Sequence, residues 1–449
     1  MKKPETPPKQ KLDFQKIIKI FEDEETVWKI NEIENNYPYW DTFKHKVRDL
    51  KFDPVELWNF AKFNRGKSIS HLKISPIKGF DFKYNNTGNI LKHLHEFDLY
   101  LGGMIEGGSI IPSDDKNKYL ISSIMEEAIA SSQLEGAVTT REIAKEMLKM
   151  KRPPSTYSEK MILNNYLTIK RLLEFKNEKL SRELILEIHS IISKDTLDNS
   201  LNEGNFRKSN DVKVVEGISG EVFYEPPGYE KIEGLINDIC EFANNKDNKK
   251  FIHPIVRAII LHFLIGYIHP FVDGNGRTAR AIFYWFLISK GYWLIEYLSI
   301  SRIIIKSSSQ YAKAYLYTEY DENDLTYFID YNLKSIDLAL KSLKEYIKRK
   351  LDEKKRIFQL VKSANINNRQ SEILKWFIKD KQRILTINEI QNRFEVVYQT
   401  ARTDLLGLVS LGYLEKKQKQ NKLIFFCSDD FDSNISSIFL GVLVLKKRH

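Results

Sequence analysis

The chain has 449 residues, which is long for one hydrophobic core, so two or three domains are expected. It is 42% hydrophobic and 29% charged, as ordinary globular proteins are. Only two cysteines occur, which excludes a disulfide framework and a cysteine-based zinc site. No run reaches the roughly 18 apolar residues of a membrane-spanning helix. We therefore expect a cytoplasmic protein without a membrane partner, while the net charge of +10 is compatible with nucleic acid.

The first predicted region, residues 1–114, is mostly helical. Large aromatic side chains recur in its first half and are interpreted as core anchors: Trp28, Tyr37, Tyr39, Trp40 and Trp58.

An amphipathic helix is predicted at about residues 120–136. Its apolar face comprises Ile121, Ile124, Met125, Ala128, Ile129 and Ser132. Ser131 and Glu135 lie four residues apart on one face, and Gly136 is the expected C-terminal cap. Taken alone, these residues are typical of the polar end of a surface helix.

A β-hairpin is predicted at about residues 211–225. Its strands would be Val212–Val215 and Glu221–Tyr224, on either side of a glycine-containing turn. Taken alone, this is an ordinary connecting hairpin.

The most informative stretch is residues 269–280, between two predicted apolar helices. The first helix ends at His269, and the second runs from Thr278 to Lys290. Backbone N–H groups of Gly274, Asn275 and Gly276 would point at one spot, where a helix dipole adds positive potential. This arrangement is typical of an anion site.

The side chains of the same stretch add chemistry to that site. Arg277 and Arg280 carry guanidinium groups that suit phosphate oxygens. Asp273 can hold a divalent cation, and His269 is a base with a pKa near neutrality. The stretch therefore predicts a site for the phosphates of a nucleotide, with a base beside it.

These residues resemble a known family signature. The sequence His269-Pro270-Phe271-Val272-Asp273-Gly274-Asn275-Gly276-Arg277-Thr278-Ala279-Arg280 is similar to the Fic motif H-x-F-x-D/E-G-N-G-R-x-x-R at every specified position. Proteins of that family mostly transfer AMP from ATP to a hydroxyl side chain of a target protein. The resemblance implies a mainly α-helical core over residues 115–345, with a β-hairpin flap.

The resemblance also implies a role for each signature residue. His269 would take the proton from the target hydroxyl, and Asp273 would hold Mg²⁺. The ATP phosphates would be bound by Gly274, Asn275, Gly276, Arg277 and Arg280.

The same resemblance implies roles for two segments upstream of the signature. Ser131 and Glu135 match the inhibitory motif S/T-x-x-x-E-G, in which the glutamate pairs with the second signature arginine, here Arg280. The hairpin corresponds to the flap, on which a target segment docks by strand addition. The expected flap contacts are Val212, Val214, Val222 and Tyr224.

Residues 366–428 have the pattern of a winged helix, followed by a tail at 429–449. Helices are predicted at Ser371–Ile378, Thr386–Phe394 and Tyr398–Leu411, before two strands joined by a basic turn. Candidate DNA contacts are Gln399, Thr400, Arg402, Thr403, Lys417 and Lys419. A winged helix that binds protein or mediates dimerisation fits the pattern equally well.

The sequence thus predicts a protein adenylyltransferase inhibited by Glu135, with ATP and Mg²⁺, that modifies Ser, Thr or Tyr of a target or of itself. Two alternatives stay open. Glu135 could instead position a water that removes AMP from a modified protein, or the chain could be a DNA-binding regulator with a nucleotide-sensing core. The sequence does not identify the target or the trigger that releases Glu135. It also leaves open whether the chain forms a homodimer.

Overall fold

The computed structural model describes residues 2–9, 13–72, 74, 81–102, 116–215, 220–244, 251–363, 366–419 and 422–431. The chain separates into two compact units, Met1–Leu343 and Lys344–His449. Helices dominate both units, which confirms the predicted mainly α fold. Among the described helices, none combines the length and the apolar character needed to cross a bilayer.

The first unit is built from helices. They are α1 (Phe14–Glu22), α2 (Glu24–Glu34), α3 (Trp40–Lys46), α4 (Pro54–Gly66), α5 (Gly88–Phe97), α6 (Lys116–Leu134), α7 (Arg141–Met150), α8 (Tyr157–Leu172), α9 (Arg182–Ser193), α10 (Ile232–Ala243), α11 (Pro254–Ile268), α12 (Asn275–Ser289), α13 (Ser301–Ile304) and α14 (Ser308–Tyr320). A longer helix, α15 (Thr326–Ser363), spans the boundary between the two units.

Side-chain caps set where many of these helices begin. An oxygen of the residue before the first turn accepts a backbone N–H in α1, α2, α4, α5, α7, α8 and α9. The capping side chains are Asp13, Asp23, Asp53, Thr87, Thr140, Thr156 and Ser181. Each cap satisfies an N–H group that has no partner within its own helix.

Two short antiparallel hairpins complete the first unit. Strands β1 (Ile69–His71) and β2 (Lys83–Asn85) form one, and β3 (Val214–Val215) and β4 (Val222–Tyr224) form the other. The second hairpin is the predicted flap, but its first strand is shorter than expected because the β3–β4 pairing begins only at Val214. Val212 therefore lies outside the strands, and turn residues 216–219 lie outside the described part of the chain.

Helices α1–α4 share a core with the end of the first unit. Tyr327 of α15 is buried in their cluster, and Tyr317 and Tyr320 of α14 pack against it. Trp28, expected in this core, is 63% exposed, because it lies on the outer face of α2. The predicted domain boundary at residue 114 thus falls within one compact unit, and it stays a prediction.

The centre of the first unit is the pair α11 and α12. Nearly every side chain of both helices is buried. α12 packs against α6, α8, α9 and α11, so its N-terminus is surrounded by protein. A hydrophobic core on all sides of two consecutive helices fixes the loop between them.

The second unit contains a small α/β arrangement. Its elements after α15 are α16 (Asn368–Lys379), β5 (Leu385–Thr386), α17 (Ile387–Phe394), α18 (Tyr398–Ser410), β6 (Leu414–Lys419) and β7 (Lys422–Cys427). The strands form an antiparallel sheet in the order β5-β7-β6. The sequence pattern does not predict the short strand β5, because two residues show no detectable alternation. The predicted tail at 429–449 lies mostly outside the described residues.

Candidate active site

His269 stands at the point where the buried helix α11 ends. It has a left-handed backbone (φ 51°, ψ 58°), and its N–H donates to the Ile265 carbonyl at 3.0 Å. A residue other than glycine costs about 1 kcal/mol in this conformation. The chain therefore turns sharply at the position where the signature begins.

The imidazole of His269 is oriented by its own helix. Nδ1 lies 3.0 Å from the Gly266 carbonyl, which accepts a hydrogen bond, so the proton is on Nδ1 and Nε2 is the basic nitrogen. Burial lowers the pKa of His269, while the carbonyl of Gly266 and the charge of Glu135 act in the opposite direction. The ring is thus neutral at neutral pH, with Nε2 able to accept a proton.

The loop after His269 is closed by the side chain of Asn275. Its Oδ1 accepts from the Phe271 N–H at 2.9 Å, and its Nδ2 donates to the Phe271 carbonyl at 2.8 Å. The side-chain amide of Asn275 is therefore used inside the loop, whereas the expected anion contact is its backbone N–H. Only its backbone N–H, at the start of α12, remains for an anion.

His189 of α9 contacts the same loop and stabilises it. Its ring stacks on Phe271 with a centroid distance of 3.6 Å and an interplanar angle of 4°. Its Nε2 donates to the Asp273 carbonyl at 2.9 Å, and its Nδ1 accepts from the Gly204 N–H at 3.1 Å. Burial lowers the pKa of His189 to about 4, so it stays neutral.

Sequence reasoning does not single out His189 for this role. The helical spacing of α9 shows only that position 189 faces inward. Nothing in that spacing indicates a partner 84 residues away.

Arg280 and the end of α6 form a buried ionic cluster. The Nε of Arg280 donates to Ser131 Oγ at 2.8 Å, and one terminal nitrogen donates to the Ser131 carbonyl at 2.9 Å and to Glu135 Oε1 at 2.8 Å. The Arg280 side chain is 4% exposed and that of Glu135 is 27% exposed. The structure therefore brings together the three residues Ser131, Glu135 and Arg280.

The charges of this cluster stabilise one another. Burial raises the pKa of Glu135, but the neighbouring guanidinium of Arg280 outweighs it and holds the pKa below its usual value. Burial lowers the pKa of Arg280, and the carboxylate of Glu135 more than compensates for this effect. Both groups are ionised at neutral pH.

The carboxylate of Glu135 also lies against the N-terminus of α12. A methyl group at Gly276 would meet Glu135 Oε1 at 2.2 Å. Gly274, which precedes the helix, has a left-handed backbone with φ 83°. The glycines therefore allow an anionic oxygen close to the helix N-terminus, and Glu135 supplies that oxygen here.

Arg277 and Asp273 lie on the same side of this N-terminus. Arg277 is fully buried; one nitrogen donates to Asp273 Oδ2 at 3.1 Å and another to the Ile192 carbonyl at 3.3 Å. Within the described residues, its buried Nε has no hydrogen-bond partner. Asp273 is 46% exposed, so its carboxylate is open to solvent. A cation held there would need phosphate oxygens as further ligands, since no cluster of three or more acidic, histidine or cysteine side chains suited to a metal occurs among the described residues.

Arg207, which sequence reasoning did not single out, joins the signature loop to the flap. Its backbone N–H donates to the Pro270 carbonyl and its Nε to the His269 carbonyl, both at 2.9 Å. Its other nitrogens donate to the carbonyls of Ser209, before the flap, and Pro227, after it. One buried side chain thus connects the base to both ends of the hairpin.

The flap itself is held less firmly. Val214 pairs with Tyr224 and Val215 with Val222, with an irregularity between them. The Tyr224 ring stacks on Tyr267 of α11 at 4.9 Å. Val214, Val222 and Tyr224 are half-buried, as is Val212 beside the strand.

The candidate DNA contacts lie in the second unit. Gln399, Arg402 and Thr403 are exposed along α18, Thr400 is half-buried, and Thr403 Oγ1 donates to the Gln399 carbonyl at 2.8 Å. Lys417 is exposed on β6, and Lys419 pairs with Lys422 at the end of the β-ribbon. These residues belong to a single helix and one ribbon, as in a winged helix.

Comparison with known proteins identifies the domain that holds this site. Residues 179–287 match the Fic/DOC family. The chain is 33% identical over 117 residues to protein adenylyltransferase Fic of Nematostella vectensis and 35% identical over 117 residues to that of Aedes aegypti. Each alignment covers 26% of this chain, but only 25% and 21% of those relatives. A probable protein adenylyltransferase of Aquifex aeolicus is 34% identical over 126 residues, 28% of this chain and 35% of the relative.

The fold extends further than the sequence match. A Fic family protein from Desulfovibrio desulfuricans G20 superposes with a TM-score of 0.52 at 16% identity, covering 77% of this chain and 98% of that one. Residues 179–287 of this chain therefore resemble a Fic domain, and most of the chain shares the fold of that protein.

Proposed function

We propose that this chain is a protein adenylyltransferase that Glu135 holds inactive. The observation that carries the proposal is the position of the Glu135 carboxylate. It binds Arg280 at 2.8 Å and lies against Gly276, at a helix N-terminus next to a neutral histidine. An anion site filled by the protein's own carboxylate is the arrangement expected of an inhibited phosphate-binding enzyme.

The phosphate site explains how ATP would bind. Backbone N–H groups of Asn275 and Gly276 start α12 without partners inside the helix. Arg277 would contribute its buried Nε, and Arg280 its terminal nitrogens once Glu135 moves away. Asp273 would hold Mg²⁺ together with phosphate oxygens, and the ion would supply charge neutralisation of the polyphosphate.

The transfer step needs one base. Nε2 of His269 would take the proton of a target hydroxyl as the hydroxyl oxygen forms a bond to the α-phosphorus. The bond from that phosphorus to the bridging oxygen of pyrophosphate breaks, so AMP ends on the target and pyrophosphate leaves. The hydrogen bond from Nδ1 to the Gly266 carbonyl keeps the ring in the tautomer that this step requires.

Inhibition follows from competition for one guanidinium. Glu135 occupies a nitrogen of Arg280 that would otherwise bind the terminal phosphate. A polyphosphate that lacks this anchor binds weakly or with its α-phosphate out of line for attack. The acceptor would be a Ser, Thr or Tyr of a target protein or of the chain itself, presented along the flap by strand addition.

The test is transfer of label from α-labelled ATP with Mg²⁺ to proteins in a lysate. Wild type is compared with Glu135→Gly and with the double variant Glu135→Gly/His269→Ala. Strong labelling by the single variant, lost in the double variant, is the expected result. Equal and negligible labelling by all three proteins would contradict the proposal.

Removal of AMP is a second candidate, which the position of Glu135 beside His269 favours. There the carboxylate would orient a water for attack on the phosphodiester of a modified protein. Wild type would then release AMP from a labelled target, and Glu135→Gly would not. Release that persists in Glu135→Gly would exclude this role.

Binding of DNA by the second unit is an additional proposal. It is supported by the exposed side chains of Gln399, Arg402 and Thr403 on α18 and by the exposed side chain of Lys417 on the ribbon. A mobility shift that weakens with salt and prefers a specific sequence is expected. Weak binding that is equal for all sequences would leave a winged helix that contacts protein.

A further inference from the structure

A segment far from the flap in sequence lies on it in the structure. Residues 2–9 form neither helix nor strand, and Pro4 and Pro7 are buried. Glu5 fixes the middle of the segment, because its carbonyl accepts from Tyr39 Oη at 2.7 Å and its N–H donates to Asp41 Oδ1 at 3.1 Å. The segment is therefore a docked part of the first unit.

Lys3 connects this segment to three consecutive residues of the flap. Its ammonium pairs with Glu221 at 2.8 Å and donates to the Val222 carbonyl at 2.9 Å. The same ammonium lies 5.7 Å from the centre of the Phe223 ring. One lysine thus uses a carboxylate, a backbone acceptor and an aromatic face together.

A cavity of about 480 Å³ continues this surface behind the flap. Its walls include Phe223, Tyr224, Glu225, Tyr267, Glu319 and Tyr320. Aromatic rings with carboxylates between them suit the cation and the apolar stem of a lysine or arginine. Tyr267 lies in the last turn of α11, two residues before His269.

We propose that this flap surface recognises an extended protein segment that carries a lysine or arginine near its acceptor hydroxyl. In this structure, Lys3 occupies the position of that basic residue. The inference rests on the proposed adenylyl transfer, because it assigns the kind of target that the flap accepts.

The segment at residues 2–9 is suited to be displaced. Its prolines at positions 4, 7 and 8 have no N–H, so it cannot form a full strand ladder with the flap. Its hold on β4 comes from the Lys3 side chain, whereas a target strand would add backbone hydrogen bonds. A target segment that has both a basic residue and free backbone N–H groups should therefore bind the flap more tightly than residues 2–9 do.

The experiment uses the full chain in the Glu135→Gly background, with α-labelled ATP and a lysate as acceptor. Lys3→Ala is compared with Lys9→Ala, a matched change at the exposed far end of the same segment. Lys3→Ala should raise lysate labelling several-fold without changing the KM for ATP, and Lys9→Ala should not. A synthetic peptide of residues 2–9 should suppress the gain, while the same peptide with alanine at the Lys3 position should not.

Failure of this inference differs from failure of the proposed function. Equal labelling by Lys3→Ala and Lys9→Ala, with no effect of the peptide, would overturn the inference alone. If no variant transfers label, the proposed activity fails, and fluorescence anisotropy of the labelled peptide decides the inference. Tighter binding to Lys3→Ala than to Lys9→Ala would support it, and equal binding would refute it.

Discussion

The signature loop and the flap are neighbours, but they are held in opposite ways. In the loop, Asn275 bonds to the backbone of Phe271, His189 bonds to the carbonyl of Asp273, and Phe271 is fully buried. In the flap, two half-exposed strands of two and three residues depend on Arg207 at their base and Lys3 on their surface. The chemistry is thus placed on rigid backbone, while the part that would meet a target is able to adapt.

The close approach at Gly276 gives the largest expected effect on the rigid side. In the Glu135→Gly background, Gly276→Ala should reduce label transfer by about 100-fold, because the methyl fills the space that a phosphate oxygen needs. Gly234→Ala, in a helix with nothing within 4 Å of the added methyl, is the matched control and should be neutral. Unchanged kcat/KM for Gly276→Ala would show that the nucleotide does not approach this backbone.

Arg207 tests the link between the two regions. Arg207→Lys, again in the Glu135→Gly background, should lower kcat by about 10-fold, since a lysine cannot serve three carbonyls in fixed directions. Arg207→Ala should also cost about 2 kcal/mol of unfolding free energy, measured by denaturant titration. Arg302→Lys, at an exposed arginine, is the control. An effect of Arg207→Lys on KM for the acceptor alone would place Arg207 with the flap rather than with the base.

A substitution at Glu127 tests whether its hydrogen bonds keep α6 in position next to the signature loop. Its carboxylate accepts from Ser299 Oγ and from the Ser301 N–H, both at 3.0 Å, on the same face of α6 as Ser131 and Glu135. Glu127→Gln in otherwise wild-type protein should raise basal labelling a few-fold, because the amide replaces one acceptor oxygen by a donor. Glu126→Gln, which faces Arg141 and Lys145 of α7, should leave labelling unchanged. Equal basal rates for the two variants would mean that α6 needs no anchor at α13.

The smallest effect concerns pH. Burial lowers the pKa of His269, so the base stays unprotonated as the pH falls through about 6.5, the usual histidine value. In Glu135→Gly, kcat/KM should therefore decline only below pH 6.5. Because the charge of Glu135 raises the pKa of His269, its removal should shift this decline to a still lower pH. A decline centred above pH 6.5 would contradict this environment for the base.

The sequence locates the residues of the proposed site, but not the contacts that support them. Spacing alone places His269, Asp273 and the arginines on one loop at a helix N-terminus, because all of them lie within twelve consecutive residues. The supporting contacts join segments that are distant in the chain, such as His189 to Asp273, Arg207 to His269 and Lys3 to Val222. Periodicity indicates which side of a helix is buried, but not which backbone carbonyl lies opposite.

The same reasoning explains the smaller discrepancies in the fold. The aromatic spacing of the first helices predicted a core, yet it could not show that Trp28 faces outward while Tyr327 of a later helix completes that core. The predicted first strand of the flap is too long, because residues with high β-propensity begin at Val212, before the pairing that starts at Val214.

The way in which Ser131 holds Arg280 has a consequence for how fast the proposed activity would respond to movement of Glu135. Two of the three hydrogen bonds from the guanidinium go to Ser131 and do not involve Glu135. The arginine would therefore keep its orientation when the carboxylate rotates away, and the proposed ATP-binding conformation would differ from the blocked one by a single side-chain rotamer. Such a change takes nanoseconds to microseconds, far less than a domain movement. The level of activity would then be set by the fraction of molecules in the open rotamer, and any contact that shifts this fraction would change the apparent affinity for ATP in proportion.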